Sequence, residues 1–74
     1  MTPQLRGIKA PDAIKAFERA GGVCKGGKGD HINIKMPNGR IITVRSKDEV
    51  KVGRLRDAIR EAGLTVTEFL RLLK

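Results

Sequence analysis

Apolar and polar residues follow two different periods along the chain, and each period predicts one kind of element. Near both ends, apolar residues recur every three or four positions, as in helices that pack on one side. This pattern predicts helices over residues 11–20 and 53–62, and a short third helix after a capping box formed by Thr65 and Glu68. In the middle, apolar and polar residues alternate over residues 31–36 and 40–44, which predicts two strands.

The connection Pro37-Asn38-Gly39 decides how these two strands pair. A two-residue Asn-Gly turn would mix apolar and polar side chains on each face of the hairpin. A three-residue loop, with Gly39 in the left-handed conformation, puts the apolar side chains together, so we predict this loop. The inward face then holds the pairs Ile32–Val44 and Ile34–Ile42, and the outer face holds His31, Asn33, Lys35, Ile41, Thr43 and Arg45.

A shorter strand over residues 23–25 precedes a glycine-rich stretch. The predicted fold class is therefore α+β, with the order helix, three antiparallel strands, helix and short helix, and with the helices on one face of the sheet. Residues 1–9 show no period and are predicted to be a loose N-terminal arm. Residues 10–74 are predicted to be a single domain, because a chain of 74 residues has room for one core.

The chain is strongly basic, with 16 Lys and Arg residues against eight Asp and Glu residues and a net charge of +8. A charge of this size favours a polyanionic partner, which is nucleic acid, an acidic protein or an anionic membrane. Nine basic and three acidic residues lie between Lys25 and Arg56, so most of the excess is in the middle of the chain. No apolar run approaches the roughly 18 residues that span a bilayer, and no membrane association is expected.

Cys24 is the single cysteine of the sequence, so an internal disulfide is excluded. We expect it to be a small buried hydrophobe at the start of a strand. A lone thiol without a signal-peptide pattern suits a reducing compartment, so a cytoplasmic location is expected. One His and one Cys cannot form a structural zinc site, and neither a metal nor a small-molecule cofactor is expected.

Residues 22–29 approach the phosphate-loop pattern Gly-x-x-x-x-Gly-Lys-Ser/Thr, but Gly29 replaces the hydroxyl residue. The segment also leads into a strand, whereas a phosphate loop opens a helix, so nucleotide hydrolysis is not expected. Two interpretations stay open. The backbone of this loop can approach a phosphate closely while Lys28 supplies positive charge, or the loop is an ordinary surface turn.

His31 is the single histidine of the sequence, and imidazole is the side chain best suited to general acid–base chemistry near neutral pH. In RNA, the 2′-hydroxyl attacks the adjacent phosphate once it is deprotonated, so cleavage needs a base and positive charge but no metal. His31 would be that base, and Lys28, Lys35 and Arg45 are candidates for charge stabilisation. From the residues alone, a lone strand histidine is more often structural or incidental.

Four collinear blocks resemble the HicA family of toxin–antitoxin modules, and the similarity runs over about residues 8–73. The blocks are Lys28-Gly29-Asp30-His31, Pro37-Asn38-Gly39-Arg40, Val52-Gly53-x-Leu55-Arg56-x-x-Ile59-Arg60-x-Ala62-Gly63-Leu64 and Thr65-x-x-Glu68-Phe69-Leu70. The resemblance implies a fold like the double-stranded-RNA-binding domain. It also implies an mRNA interferase that is silenced by a HicB antitoxin.

The catalytic histidine of the family falls on His31. We expect RNA contacts from Lys25, Lys28, Gly29, Lys35, Arg40 and Arg45. Compared with many family members, Asp30 replaces Ser, Ile32 replaces a second His, and Val23 replaces an aromatic residue. Asp30 could orient the imidazole or could repel RNA phosphate, and both interpretations stay open.

We therefore expect a toxin that is a metal-independent endoribonuclease acting on mRNA, with a HicB-type antitoxin as its protein partner. One alternative is a non-catalytic basic RNA-binding domain of the same fold, which holds phosphates and 2′-hydroxyls. Another is a protein-interaction domain whose basic face docks an acidic partner. Substitution of His31 separates the first two, because it should abolish cleavage but spare binding. The salt dependence of RNA affinity separates the last two.

Overall fold

The structure, a computed structural model, describes residues 5–27, 29–45 and 49–73. Within these residues, three antiparallel strands form one sheet in the order β1-β2-β3, and three helices accompany it. The elements along the chain are α1 (Ala10–Arg19), β1 (Val23–Gly26), β2 (His31–Lys35), β3 (Ile41–Arg45), α2 (Val52–Glu61) and α3 (Val66–Leu72). This order confirms the predicted α+β fold, which is like that of the double-stranded-RNA-binding domain.

The helix ends follow the local signals in the sequence, with small shifts. The helices α1 and α2 each begin one residue before the predicted start, because Lys9 and Lys51 are the extended residues before them. The capping box of α3 is confirmed: the Glu68 amide donates to Thr65 Oγ1 at 3.1 Å, and the Thr65 amide donates to Glu68 Oε1 at 2.8 Å. None of the helices in the described part of the chain has the length and apolar character that crossing a membrane would need.

The hairpin of β2 and β3 has the predicted register. Ile32 pairs with Val44 and Ile34 pairs with Ile42, while His31 pairs with Arg45 on the outer face. The three-residue loop is also confirmed, since Gly39 has a φ of +88° and its amide donates to the Met36 carbonyl at 2.9 Å. A positive φ here suits glycine, whose missing Cβ removes the steric penalty of the left-handed region.

The helices of the described residues pack on the inner face of the sheet, and none of them covers its outer face. Ile34, Ile42 and Val44 on the inner face are all at most 4% exposed. Phe17 of α1 and Phe69 of α3 are fully buried, with ring centroids 5.0 Å apart and ring planes tilted by 45°. These two rings join the first and last helices over the sheet.

The loose arm predicted for residues 1–9 is wrong for its second half. Leu5 and Ile8 are core residues, 3% and 8% exposed. The Val50 amide donates to the Ile8 carbonyl at 2.9 Å, and Lys9 forms an isolated antiparallel bridge with Glu49. A short segment held in this way has neither a helical nor a strand period, so the sequence pattern gives no signal for it. Residues 1–4 lie outside the described residues.

The buried position expected for Cys24 is also wrong. Cys24 is exposed, and its thiol donates a hydrogen bond to Glu18 Oε2 at 3.2 Å. The strand β1 lies at the edge of the sheet, and all four of its residues are exposed. Local desolvation, the hydrogen bond to Glu18 and the negative charge of Glu18 raise the pKa of the Cys24 thiol. The thiol is therefore protonated at neutral pH.

Candidate functional site

His31 is the first residue of β2 and lies on the outer face of the sheet. Its strand neighbour Ile32 packs against the core, and successive side chains of a strand point to opposite faces. The pleat therefore turns the imidazole outward, and the His31 side chain is 54% exposed. Its partner across the hairpin is Arg45, whose side chain is 65% exposed. The sequence prediction of an outward His31 is thus confirmed by the strand register.

Asp30 joins these two side chains. One carboxylate oxygen, Oδ1, lies 3.3 Å from His31 Nδ1, and the other, Oδ2, accepts a hydrogen bond from Arg45 Nη2 at 3.3 Å. The Asp30 side chain is 22% exposed, so it is the most enclosed member of the cluster. Because Asp30 lies against Nδ1, Nε2 is the candidate ring nitrogen for proton exchange.

Asp30 is ionised at neutral pH. Desolvation raises the pKa of its carboxyl, but a hydrogen bond from its own backbone amide, the hydrogen bond and charge of Arg45 and the charge of His31 together outweigh this effect. The pKa of Asp30 is therefore below the ordinary aspartate value. The outer face thus carries an imidazole, a carboxylate and a guanidinium in contact.

Gly27, in the glycine-rich stretch, lies against the backbone of His31. Between β1 and β2 the pairing shifts, because Cys24 pairs with Ile34 and Gly26 pairs with Asn33, with Lys25 as the extra residue of a β-bulge. Beyond the bulge, Gly27 packs so closely on His31 that a Cβ at this position would overlap the His31 carbonyl oxygen. Only glycine fits there. The loop therefore has a structural role in placing the first residue of β2.

A groove of about 420 Å³ adjoins this cluster between β3 and the start of α2. Its positive charges come from Arg45, Lys51 and Arg54, and Glu49 supplies a negative charge. The remaining lining residues are His31, Thr43, Val44, Val50, Leu55 and Ala58. The candidate base therefore shares a concave surface with three cationic side chains and an apolar floor.

The structure brings together only some of the residues expected to contact RNA. Arg45 lies beside His31, and the exposed Gly29 is two residues away in the chain. Lys35 pairs with Ile41 at the other end of the hairpin, about 13 Å along the strand from His31. Arg40, in the turn, lies beyond that end, and Lys25 is on the edge strand. Lys28 lies outside the described residues.

Lys51 and Arg54 are groove residues that the sequence analysis did not single out. Lys51 is the residue before α2 and Arg54 lies in its first turn, and their spacing of three, which puts helical residues on one face, is the signal that was present in the sequence. Leu55 and Ala58 follow on the same face. The spacing alone does not say which strand this face meets. Only the packing of α2 on β3 brings it to His31.

The family model described as the HicA toxin of bacterial toxin–antitoxin matches residues 10–64 of the chain. The chain belongs to the HicA toxin family. Membership makes it a toxin of a toxin–antitoxin module and implies an antitoxin as its partner. The part matched to the HicA family runs from the start of α1 to the residues after α2, so it includes His31, Arg45 and the groove. No curated protein and no solved structure matches the chain.

Proposed function

We propose that this HicA-family chain is an endoribonuclease that cleaves mRNA without a metal ion and uses His31 as the general base. The observation that carries the proposal is the cluster of His31, Asp30 and Arg45 on the outer face of the sheet. An exposed imidazole held by a carboxylate and accompanied by a guanidinium suits the chemistry of RNA self-cleavage.

In the proposed reaction, His31 Nε2 takes the proton of an RNA 2′-hydroxyl. The 2′-oxygen then forms a bond to the adjacent phosphorus, and the bond from phosphorus to the 5′-oxygen of the next nucleotide breaks. The products are a 2′,3′-cyclic phosphate and a 5′-hydroxyl, whose proton comes from solvent. In this scheme, the charge of Arg45 stabilises the extra negative charge on the phosphate oxygens in the transition state.

Asp30 has two opposing effects in this scheme. Its carboxylate lies 3.3 Å from His31 Nδ1, a contact that favours a productive orientation of the base. The same negative charge repels a substrate phosphate. Arg45 offsets the repulsion because its guanidinium is hydrogen-bonded to Asp30. Of the two interpretations that the sequence leaves open, the geometry therefore favours orientation.

The proposed partner is a HicB-type antitoxin, and the proposed place of action is the cytoplasm, where mRNA is found. The outer face is accessible to such a partner because no helix of the described residues covers it. Expression of the chain alone should arrest bacterial growth, and co-expression of the antitoxin encoded beside it should relieve the arrest. Unimpaired growth with folded protein present would contradict the toxin mechanism proposed here.

The direct test is to incubate the purified chain with RNA in EDTA and to analyse the fragment ends. The expected result is a set of fragments with 2′,3′-cyclic or 3′-phosphate ends, which His31→Ala does not produce. Activity that vanishes in EDTA and returns with magnesium would contradict the mechanism. RNA binding without any cleavage would favour a non-catalytic RNA-binding domain instead.

A further inference from the structure

The groove between β3 and α2 has a charge pattern that suits a nucleic acid backbone. Arg45, Lys51 and Arg54 outnumber the one carboxylate among the described lining residues, Glu49. That carboxylate also accepts a hydrogen bond from the Gly7 amide at 3.2 Å, so it already has a partner within the fold. Arg45 is paired with Asp30, so the positive surplus of the rim comes from Lys51 and Arg54 against Glu49. A phosphate beside these two side chains gains favourable electrostatic energy.

The floor of the groove is apolar, which distinguishes it from a simple basic patch. Val50 and Ala58 are the lining hydrophobic residues that are only partly buried, and their aliphatic carbon suits the face of a nucleobase. Both phenylalanines are fully buried, so neither phenyl ring can stack on a base here. Flat side chains also line the groove, because the His31 imidazole and the guanidinium groups of Arg45 and Arg54 can stack on bases, as in many RNA-binding sites.

The size of the groove separates two classes of RNA. Its volume of about 420 Å³ lies within the roughly 300–1,000 Å³ of small-molecule pockets, so it suits one ligand-sized group. In a duplex, each base is stacked and paired inside the helix and cannot enter such a pocket. An unpaired nucleotide can turn its base outward and place it there.

We infer that this groove holds one unpaired nucleotide next to the phosphate at which His31 acts, so that the substrate is single-stranded RNA. The inference rests on the proposed ribonuclease function, because it uses His31 to mark the cleavage point. The base lies on Val50 and Ala58. Its phosphate lies against Arg54 and Lys51.

The test measures binding separately from cleavage. The probe is a single-stranded 2′-O-methyl RNA oligonucleotide, which lacks the attacking hydroxyl and is not cut, compared with the same strand in a duplex. Ala58→Leu fills the floor without changing charge, and Arg54→Gln removes one charge from the rim. Arg60→Gln is the matched control, since Arg60 is exposed on the same helix and does not line the groove.

We expect the native chain to bind the single strand more tightly than the duplex at equal salt. Ala58→Leu should weaken single-strand binding about tenfold without changing its salt dependence, because a base contact is lost and no counterion is involved. Arg54→Gln should reduce the slope of log affinity against log salt by about 1. Arg60→Gln should change neither the affinity for the single strand nor the slope.

Failure of this inference and failure of the ribonuclease proposal have different signatures. Equal binding of single strand and duplex, or unchanged binding by Ala58→Leu and Arg54→Gln, would overturn the groove assignment, even if His31→Ala abolishes cleavage. Groove-dependent binding by a chain that cuts no RNA would support the groove and reject the ribonuclease. The binding result for Ala58→Leu is interpreted only if the melting temperature of this variant equals that of the native chain. If it unfolds, the salt slope of Arg54→Gln decides, because Arg54 is exposed.

Discussion

The two faces of the β2–β3 hairpin are made from alternate residues of the same strands, yet they differ in almost every property. On the inner face, Ile34 and Ile42 are 0% and 2% exposed and carry no polar group. On the outer face, the side chains of His31 and Arg45 are 54% and 65% exposed and meet through Asp30. The pleat thus places residues that stabilise the fold on the inner face and the candidate catalytic residues on the outer face. Substitutions of neighbouring residues should therefore have different effects: those on the inner face should reduce stability, and those of the candidate catalytic residues on the outer face should reduce cleavage.

The largest contrast is expected between two isoleucines on opposite faces. Ile34→Ala should reduce the free energy of unfolding by about 2–5 kcal/mol, because it empties a fully buried site. Ile41→Ala should cost no more than about 0.5 kcal/mol, because Ile41 is 57% exposed. Urea denaturation of both variants measures the difference. Equal losses would show that the outer face also contributes to the core.

His31→Ala should reduce RNA cleavage without destabilising the fold. Cleavage should fall by a factor on the order of 100 or more, as expected when a general base is lost. The free energy of unfolding should change by no more than about 0.5 kcal/mol, because the side chain is exposed. RNA affinity should persist through Arg45, Lys51 and Arg54. Cleavage and melting curves provide the test, with Ile41→Ala as the outer-face control.

A large drop in melting temperature for His31→Ala would mean that the imidazole has a structural role. Cleavage at the native rate would remove His31 from the mechanism. Either result would contradict the proposal that the inner face stabilises the fold and the outer face carries the catalytic residues.

Gly27→Ala should disturb the site by displacing the backbone of His31. The new Cβ would overlap the His31 carbonyl oxygen, so the loop or the start of β2 must move. We expect cleavage to fall about tenfold, because a displaced base loses its alignment with the substrate. Gly53→Ala is the matched control, since a Cβ there meets open space within α2. Equal activity of both variants would show that the loop does not position His31.

Asp30→Asn should have the smallest effect on activity, and it should lower both kcat and KM. We expect kcat to fall about fivefold because the imidazole is held less firmly. KM should fall as well, since a negative charge near the substrate phosphate is removed. The pKa of Asp30 is lowered, so the carboxylate stays ionised and the kcat difference should persist from about pH 6 to 8. Unchanged kcat would exclude a positioning role.

Much of the fold and part of the site could be predicted from the sequence, because the deciding signals are local. The alternation of apolar and polar residues sets the faces of β2 and β3, and the Pro37-Asn38-Gly39 loop sets their register. The outward direction of His31 follows from that register alone. The capping box of α3 is equally local, since Thr65 and Glu68 bond each other. The resemblance to the HicA family was likewise carried by short collinear blocks.

Only the tertiary structure decided which of the basic residues lie near His31. Lys35 and Arg40 are closer to it in sequence than Arg54, but the extended strand carries them away while the packing of α2 on β3 brings Arg54 to the groove. The burial of Leu5 and Ile8 is likewise invisible in the chain pattern, because distant residues near Val50 hold that segment. Local periodicity determines the elements and their faces. Proximity across the fold depends on how the elements pack, and no local pattern contains it.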